Sequence, residues 1–425
     1  MLFHILGPYR HPVGVALGAV LFVGLVSGAA RAEPASEIGK LIDMARRMNP
    51  DIAAAALEAD AARARVDAAG ALDDPKFKVE LASPRAGRSL APSGRISEEL
   101  YEVRQMLPLW GKLELKREIA EWDAMKARAT ARDVENQVAY RVKVAYAEYH
   151  VAHLAADETR RLATTVRRLA DIARQRYAQS AGKQADATGA EAESSALRAE
   201  IARLDSDRER ARLRLNRLLG RDTRTPLPAT PHPRRVPRLD AAVIERLVAR
   251  AHADSPTIGA GVAAANSAER AQRLAERNFY PDVELGLGAM RENGRFDNYR
   301  AMVEVTIPLQ WGRREAEQRE ATAMAASARA KVEAMRQDVA ADIREAKAML
   351  DALAARRRAV TGTTVPNARI ALDSAVNAYQ LGREEFPAVL AAEQSLRRAL
   401  VESITVQFEE QVRLAEIERL IGGEL

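Results

Sequence analysis

His150 and His153 stand three residues apart in a stretch of helical periodicity, so both imidazoles would share one face and could begin a transition-metal site. Such a site needs further donors. The nearest carboxylate, Glu148, falls on a different face, and two polar positions on a solvated helix account for the pair. The ten methionines contain no M-x-x-M pair. Gly259-Ala260-Gly261-Val262-Ala263-Ala264 formally fits G-x-G-x-x-A, but it follows Ser255-Pro256 rather than a strand and lies inside a helical pattern, which argues against a nucleotide site. The sequence has no P-loop, no G-x-S-x-G and no H-E-x-x-H, and no Ser/His/Asp set with a fold to support it. These residues describe neither an enzyme nor a cofactor site. Two aspartates remain, Asp171 and Asp373, each six residues before a tyrosine, Tyr177 and Tyr379.

That pairing belongs to a larger repetition. Asn49-Pro50 has a counterpart in Ser255-Pro256, Pro75 in Pro281, Pro108 and Trp110 in Pro308 and Trp311, and "LNRLLG" ending at Gly220 in "IERLIG" ending at Gly422. The order is the same in both halves, so the chain is a tandem duplication. Residues 33–220 form the first copy and 240–425 the second. Between them, 221–239 carries five prolines and reads as an extended linker.

Each copy has one plan. A helical stretch (Ser36 to Ala71; Asp240 to Asn278) leads into a β-hairpin, about 75–107 or 281–307, with one apolar and one polar face. Val283, Leu285, Leu287 and Ala289 alternate with polar or small residues, as do Tyr299, Ala301, Val303 and Val305. The first hairpin is less regular, since Leu100 and Met106 fall on its polar face. A very long helix follows, 111–181 or 313–381, and then a return helix, 190–219 or 385–421. Gly362 and Pro366 should kink the second long helix. In the first return helix Leu197, Ile201, Leu204, Ala211, Leu215 and Leu218 keep a coiled-coil seam that Arg208 interrupts.

Composition agrees with thin helical seams rather than one thick core: 29% of residues are charged and only 4% aromatic. The net charge of +6 comes from 65 basic and 59 acidic residues interleaved along the helices, a solvated surface rather than a nucleic-acid footprint. Arg356-Arg357-Arg358, the densest basic run, reads as helix surface. Arg10 and His11 precede an apolar run, Val13 to Val26, and then Ala30-Arg31-Ala32, so residues 1–32 read as a secretory signal. There is no cysteine, which leaves packing or assembly to stabilise an exported chain and excludes a lipidated N-terminal cysteine.

Four short strands with one apolar face pose a physical problem. Their lengths suit a membrane, where a strand needs about 9–11 residues. An open four-stranded sheet cannot sit in lipid, because its edge amides would be unsatisfied, and the smallest barrels have about eight strands. Several chains must therefore share one barrel. The alternative is a periplasmic coiled-coil scaffold or adaptor whose hairpins pack as soluble sheets.

Over the whole mature chain this plan resembles the TolC-type outer-membrane efflux channels. "QMLPLWGK" and "IPLQWGRR" are similar to that family's strand-to-helix element, and "TVPNARIALDSAVNAYQLGREEFPAVLAAEQSL" to its helix–turn–helix at the periplasmic tip. The short linker and compact length look most like the heavy-metal, CzcC/CusC-like branch. The resemblance implies a mainly α protomer with a small membrane β part, three copies of which close a 12-stranded barrel above a helical tunnel. It implies residence in the outer membrane of a Gram-negative cell, with a periplasmic adaptor and a resistance-nodulation-division pump as partners. It also implies roles for named residues. Asp171, Asp373, Tyr177 and Tyr379 would form a periplasmic gate, where threefold symmetry turns each aspartate into a carboxylate ring that favours cations. Gly182, Lys183, Gly382 and Arg383 would form the adaptor-docking tip. Pro108, Trp110 and Gly111, with Pro308, Trp311 and Gly312, would join membrane strand to periplasmic helix. The glycine after each tryptophan fits a sharp turn, and the tryptophans with Tyr101 and Tyr299 fit aromatic girdles at the membrane interfaces.

Overall fold

The computed structural model describes residues 37–82, 98–227, 233–292 and 295–425. The signal-peptide assignment, the tip of the first hairpin and part of the linker lie outside the described residues.

Each repeat begins with two helices meeting at an X-Pro corner, because the residue before proline is driven out of the α region. Helix α1 (Glu37–Met48) gives way to α2 (Pro50–Ala69) at Asn49, and α5 (Ala241–Asp254) to α6 (Pro256–Arg277) at Ser255. Asn49 is buried. Its Oδ1 accepts from the Asp51 amide at 2.8 Å, capping α2, and its Nδ2 donates to the Leu218 carbonyl at 2.7 Å. The repeated "LLG/LIG" endings dock on these corners. Gly220 has φ +66°, and a Cβ there would lie 2.2 Å from the Met48 carbonyl oxygen. Gly422, at φ +71°, approaches the Asp254 carbonyl in the same way. Only glycine permits both the left-handed turn and the close approach.

The long helix of the first repeat, α3 (Lys112–Ala178), runs for 67 residues, about 100 Å at 1.5 Å per residue. Its return helix, α4 (Gln184–Leu218), begins six residues earlier than Ala190. Asp186 in its first turn suits the positive helix terminus, and the Phe386 ring packs against Gly189, so that glycine does not break the helix. In the second repeat α7 (Trp311–Ala359) passes through a π-turn, Val360–Thr364, into α8 (Val365–Gln380), and α9 (Phe386–Leu420) returns. The segment from Gly312 to Tyr379 is one residue longer than that from Gly111 to Tyr177. A π-turn takes up one extra residue without ending the helix. It sits at Gly362, just before Pro366, whose missing amide hydrogen weakens the ladder there.

Strands β1 (Lys76–Ala82), β2 (Glu98–Leu107), β3 (Asp282–Glu292) and β4 (Arg295–Thr306) form one antiparallel sheet in the order β1-β2-β3-β4, joined across the repeats by β2–β3. The helices nearest the sheet lie in parallel order: α2 packs on α3, α3 on α6, and α6 on α7. The linker is pinned along α9, where Gln411 donates to the Arg234 carbonyl at 2.8 Å and Arg234 pairs with buried Glu418. Lys143 of α3, itself buried, meets the same carboxylate at 2.9 Å. Arg356 and Arg357 pair with Glu402, Glu409 and Glu410 of α9, so the basic run is an inter-helix ladder.

Candidate functional site

The sheet register sorts the strand residues onto two faces. Phe77, Val79 and Leu81 align with Tyr101 and Val103, these with Leu287 and Ala289, and these with Tyr299 and Ala301. This apolar face is uncovered: Phe77, Leu81, Leu287, Val303 and Val305 are exposed, and Tyr299 is 84% exposed. The opposite face carries Lys76, Lys78, Glu102, Arg104, Arg300 and Glu304, together with Leu100 and Met106. On it Glu102, 2% exposed, accepts two hydrogen bonds from Arg104, at 2.7 and 3.0 Å. The pair lies flat because β3 has Gly286 beneath it, where a Cβ would come 3.0 Å from Glu102 Oε1.

Aromatic rings bracket the apolar face. Tyr101 lies between Phe77 and Phe296 at its far end, with centroids 6.4 and 6.0 Å away. At the helical end Trp110 packs on Tyr280 and Trp311 on Phe279. From Tyr299 to the end of β4 the rise is roughly 24 Å at about 3.4 Å per residue, close to the height of an outer-membrane apolar band.

The two strand-to-helix junctions differ. Trp110 (φ 64°) and Gly111 (φ 74°) are both left-handed, and the Trp110 indole donates to the Pro281 carbonyl at 2.8 Å. Lys112, buried at the start of α3, bonds the Tyr280 carbonyl and Asp282 at 2.8 and 2.9 Å. In the second copy an inserted residue, Gln310, pushes Trp311 and Gly312 into the first turn of α7. Gly312 therefore makes no left-handed turn, and open space surrounds its Cα. Only Gly111 has the turning role expected of both. Pro108 directly follows β2, whereas Pro308 follows β4 after one further residue, Ile307.

At the other end α3, α4, α8 and α9 share one core, built on Leu162, Leu197, Leu372 and Leu396. Asp171 and Asp373 are both exposed; Asp171 pairs with Arg174, and Asp373 has no ion-pair partner among the described residues. The tyrosines separate. Tyr177 is half exposed, whereas Tyr379 is 1% exposed, edge-on to Phe386 at 5.8 Å with the Arg176 guanidinium 4.9 Å from its ring centre. Its ring belongs to the protomer core and not to a lumen-facing set. Burial, and then Asp186, hold its hydroxyl pKa above the usual value. Arg176 also donates to the Tyr379 carbonyl, tying the first-repeat tip to the second.

Both tips close with the same turn: Ala181 N donates to Arg176 O at 2.8 Å and Arg383 N to Ala378 O at 2.9 Å. The left-handed residue is Gly382 (φ 72°) in one and Ser180 (φ 54°) in the other, so Gly182 is not its counterpart. Lys183 and Glu385, each preceding a return helix, pair at 2.8 Å on the exposed tip.

Sequence reasoning missed Glu393. It is 1% exposed, neither carboxylate oxygen has a hydrogen-bond partner among the described residues, and burial pushes its pKa up to about 7. Arg397 stands 3.7 Å away but is engaged by Glu193 at 3.0 Å. The signal was available, because Val389, Glu393 and Leu396 keep seam spacing with a carboxylate in the middle.

The histidines do not assemble a site. His153 Nδ1 lies 3.0 Å from the Tyr149 carbonyl with its ring edge-on to Tyr149, and Glu148 is bound by Arg214. No group of three His, Cys, Asp or Glu side chains that could hold a metal occurs among the described residues. The G-x-G-x-x-A stretch lies inside α6, where Gly259 faces Ala129 and Gly261 makes room for Met335. There the glycines serve close helix packing.

A protomer of long paired helices that carries four amphipathic strands at one end defines the class of helical-tunnel, strand-barrel proteins. The sequence profile of the outer membrane efflux protein family matches residues 41–221 and 247–423, one match per repeat, and the chain belongs to that family. Among solved structures it is similar to the outer-membrane channel OprN, at 20% identity and TM-score 0.78 over 91% of this chain and 90% of that one. It is similar to the outer membrane protein VceC of Vibrio cholerae, at 19% identity and TM-score 0.78, covering 91% and 96% of the two chains. For CusC the values are 18% identity and TM-score 0.74, covering 91% and 92%. Comparison with curated protein sequences finds no match. The likenesses establish the fold: long α-hairpins joined to a four-stranded β part.

Proposed function

We propose that this chain is the outer-membrane conduit of a tripartite efflux system. Three copies close twelve strands into one barrel, and their helices continue it as a water-filled periplasmic tunnel. A periplasmic adaptor docks at the tip around Lys183, Gly382 and Arg383, and an inner-membrane pump of the resistance-nodulation-division type supplies the driving force. The conduit itself is passive. Heavy-metal cations are the proposed cargo, on the short linker and compact length of the chain.

One observation carries the reading. The sheet presents an uncovered apolar face bracketed by aromatic rings, and its outer strands β1 and β4 each have a single neighbour. In water that face and those edges would drive aggregation. In lipid the face is solvated by acyl chains, and the edges are satisfied only by closure with further copies. The scaffold alternative requires something to cover the face, and among the described residues no element packs on it.

The test is fractionation of the mature protein, followed by reconstitution in a planar lipid bilayer. The expected result is recovery with the outer membrane, extraction only by detergent, and stepwise ion conductance. Recovery as soluble periplasmic material without detergent would overturn the reading.

A further inference from the structure

Val389, Glu393, Leu396 and Leu400 step along α9 at three- and four-residue intervals, a seam whose other members are apolar. Val389 and Leu396 join Leu169 of α3, Leu197 of α4 and Leu372 of α8 in the tip core. A leucine at 393 would complete the row, whereas a buried carboxyl costs stability unless it is hydrogen-bonded. Neither oxygen of Glu393 has a hydrogen-bond partner among the described residues. The duplication does not require the acid either. Matching Lys183 to Glu385 equates Glu393 with Glu191 of α4, which is exposed and 3.7 Å from Arg174. The same carboxyl is a surface group in one repeat and a core group in the other.

The charges around Glu393 leave it one cation. Arg397, one turn along α9, stands 3.7 Å from its carboxylate but donates to Glu193 of α4 at 3.0 Å, tying one return helix to the other. On α4, Arg203 is held by Glu200 and Asp207 at 2.7 and 2.6 Å. Arg198 of α4 and Arg398 of α9 are exposed. From α3 and α8 the charged pair is Glu158 with Arg369, 3.8 Å apart. Arg356 of α7 meets α9 at Glu402, nine residues farther on. Burial is the main influence on the Glu393 carboxyl and pushes its pKa up to about 7; Arg397 pulls it down, and Glu193 pushes it up. One guanidinium thus stands between two carboxylates with unequal access to water. Glu193 keeps 14% of its side chain exposed and can exchange the guanidinium for solvent, whereas Glu393, 1% exposed, cannot. An ionised Glu393 needs a partner in the core, and Arg397 is within reach.

We infer that Arg397 is a proton-controlled latch between α4 and α9. With Glu393 protonated, Arg397 bonds Glu193 and holds the two return helices together. When Glu393 releases its proton to solvent, it draws Arg397 back onto its own helix as an i,i+4 pair. Glu193 then turns to water, and the α4–α9 seam loosens. The latch is closed on the acid side of about 7 and open on the alkaline side. Lys183 and Glu385 keep their charges across that range, since each is shifted away from it, so the change is confined to the seam. The latch is a property of one protomer and does not depend on the proposed channel. In that channel it would loosen the periplasmic end as pH rises.

The chain has no cysteine, so spin labels on Ser195→Cys in α4 and Ser395→Cys in α9, both exposed positions, report the separation in the full-length protein. The doubly labelled chain is diluted with a large excess of unlabelled chain, so that distances within one protomer are read. Pulsed dipolar spectroscopy is expected to give one near distance at about pH 5. At about pH 8.5 the distribution broadens and its main peak moves outward by several ångströms, with the midpoint near 7. Glu393→Gln keeps the near distance at both pH values, and Arg397→Gln gives the far distribution at both, each with the circular dichroism of the wild type. A wild-type distance that does not move with pH, or a Glu393→Gln variant that still moves, would overturn the latch. So would an Arg397→Gln variant that stays near in acid. A conducting channel whose label distance ignores pH overturns the latch alone. A pH-dependent distance in a protein that conducts no ions leaves the latch standing and overturns the channel.

Discussion

The Nζ of Lys183 lies 2.8 Å from Oε1 of Glu385, and the two residues hold the same place in the two repeats, immediately before the return helix. The duplication has thus placed opposite charges at equivalent positions, where they clasp the two tips of one protomer. Glu385 raises the Lys183 pKa, and Lys183 lowers that of Glu385. The clasp is therefore fully present only between the two ordinary values, 4.5 for the acid and 10.5 for the amine, and is lost beyond either shifted value. Both side chains are exposed, so its effect is local and weakened by salt. Lys183→Glu is expected to speed amide hydrogen exchange around Ser180 and Gly382 at low salt, and adding Glu385→Lys restores protection. Unchanged exchange in the single variant would remove the clasp from the tip's stability.

Glu393 gives the tip core a pH dependence. Its folded pKa, about 7, lies above the ordinary 4.5. Between those values the unfolded chain releases a proton that the folded chain keeps, so stability falls as pH rises from about 4.5 to about 7. Glu393→Gln keeps the shape and removes the titration. At pH 8 the variant should be more stable than the wild type by on the order of 3 kcal/mol, with little difference at pH 4. Chemical denaturation at the two pH values measures this, and equal differences at both would show that Glu393 does not titrate in the core.

The two junction glycines should respond oppositely to alanine. Gly111→Ala places a Cβ in the left-handed region and should cost about 1–2 kcal/mol. Gly312→Ala lies in a helical first turn with open space around it and should be neutral, or stabilising by up to about 1 kcal/mol. By the same reasoning Ser180→Gly should stabilise the first tip by about 1 kcal/mol. Thermal unfolding of the three variants decides it.

Asp373 is the stronger gate candidate, being exposed and without an ion-pair partner among the described residues. In a threefold assembly it would supply three carboxylates to one ring. Asp373→Ala is expected to raise single-channel conductance and reduce cation preference. Conductance and selectivity equal to wild type would take Asp373 out of the constriction.

Much of this protein was legible because duplication writes each signal twice. The X-Pro corners at Asn49 and Ser255, the alternation in β3 and β4, and the uninterrupted run behind α3 all follow from local rules of proline geometry and periodicity. Tyr379 and Gly312 were harder. Tyr177 and Tyr379 occupy matching positions, yet one is exposed and the other buried, because the two repeats pack against each other asymmetrically around Arg176. Gly312 follows its tryptophan as Gly111 does, but one inserted residue, Gln310, shifts it from the turn into the helix.

The sequence by itself determined the duplication, the helix–hairpin–helix order and the two-faced strands, since these depend on spacing along the chain. Only the tertiary structure decided which side chains are stranded. Glu393 became a buried acid without a hydrogen bond because Arg397 turns to Glu193, and Tyr379 was buried because Phe386 and Arg176 close over its ring. Burial and partnership depend on what arrives from elsewhere in the chain, and a helical period identifies a face without identifying what meets it.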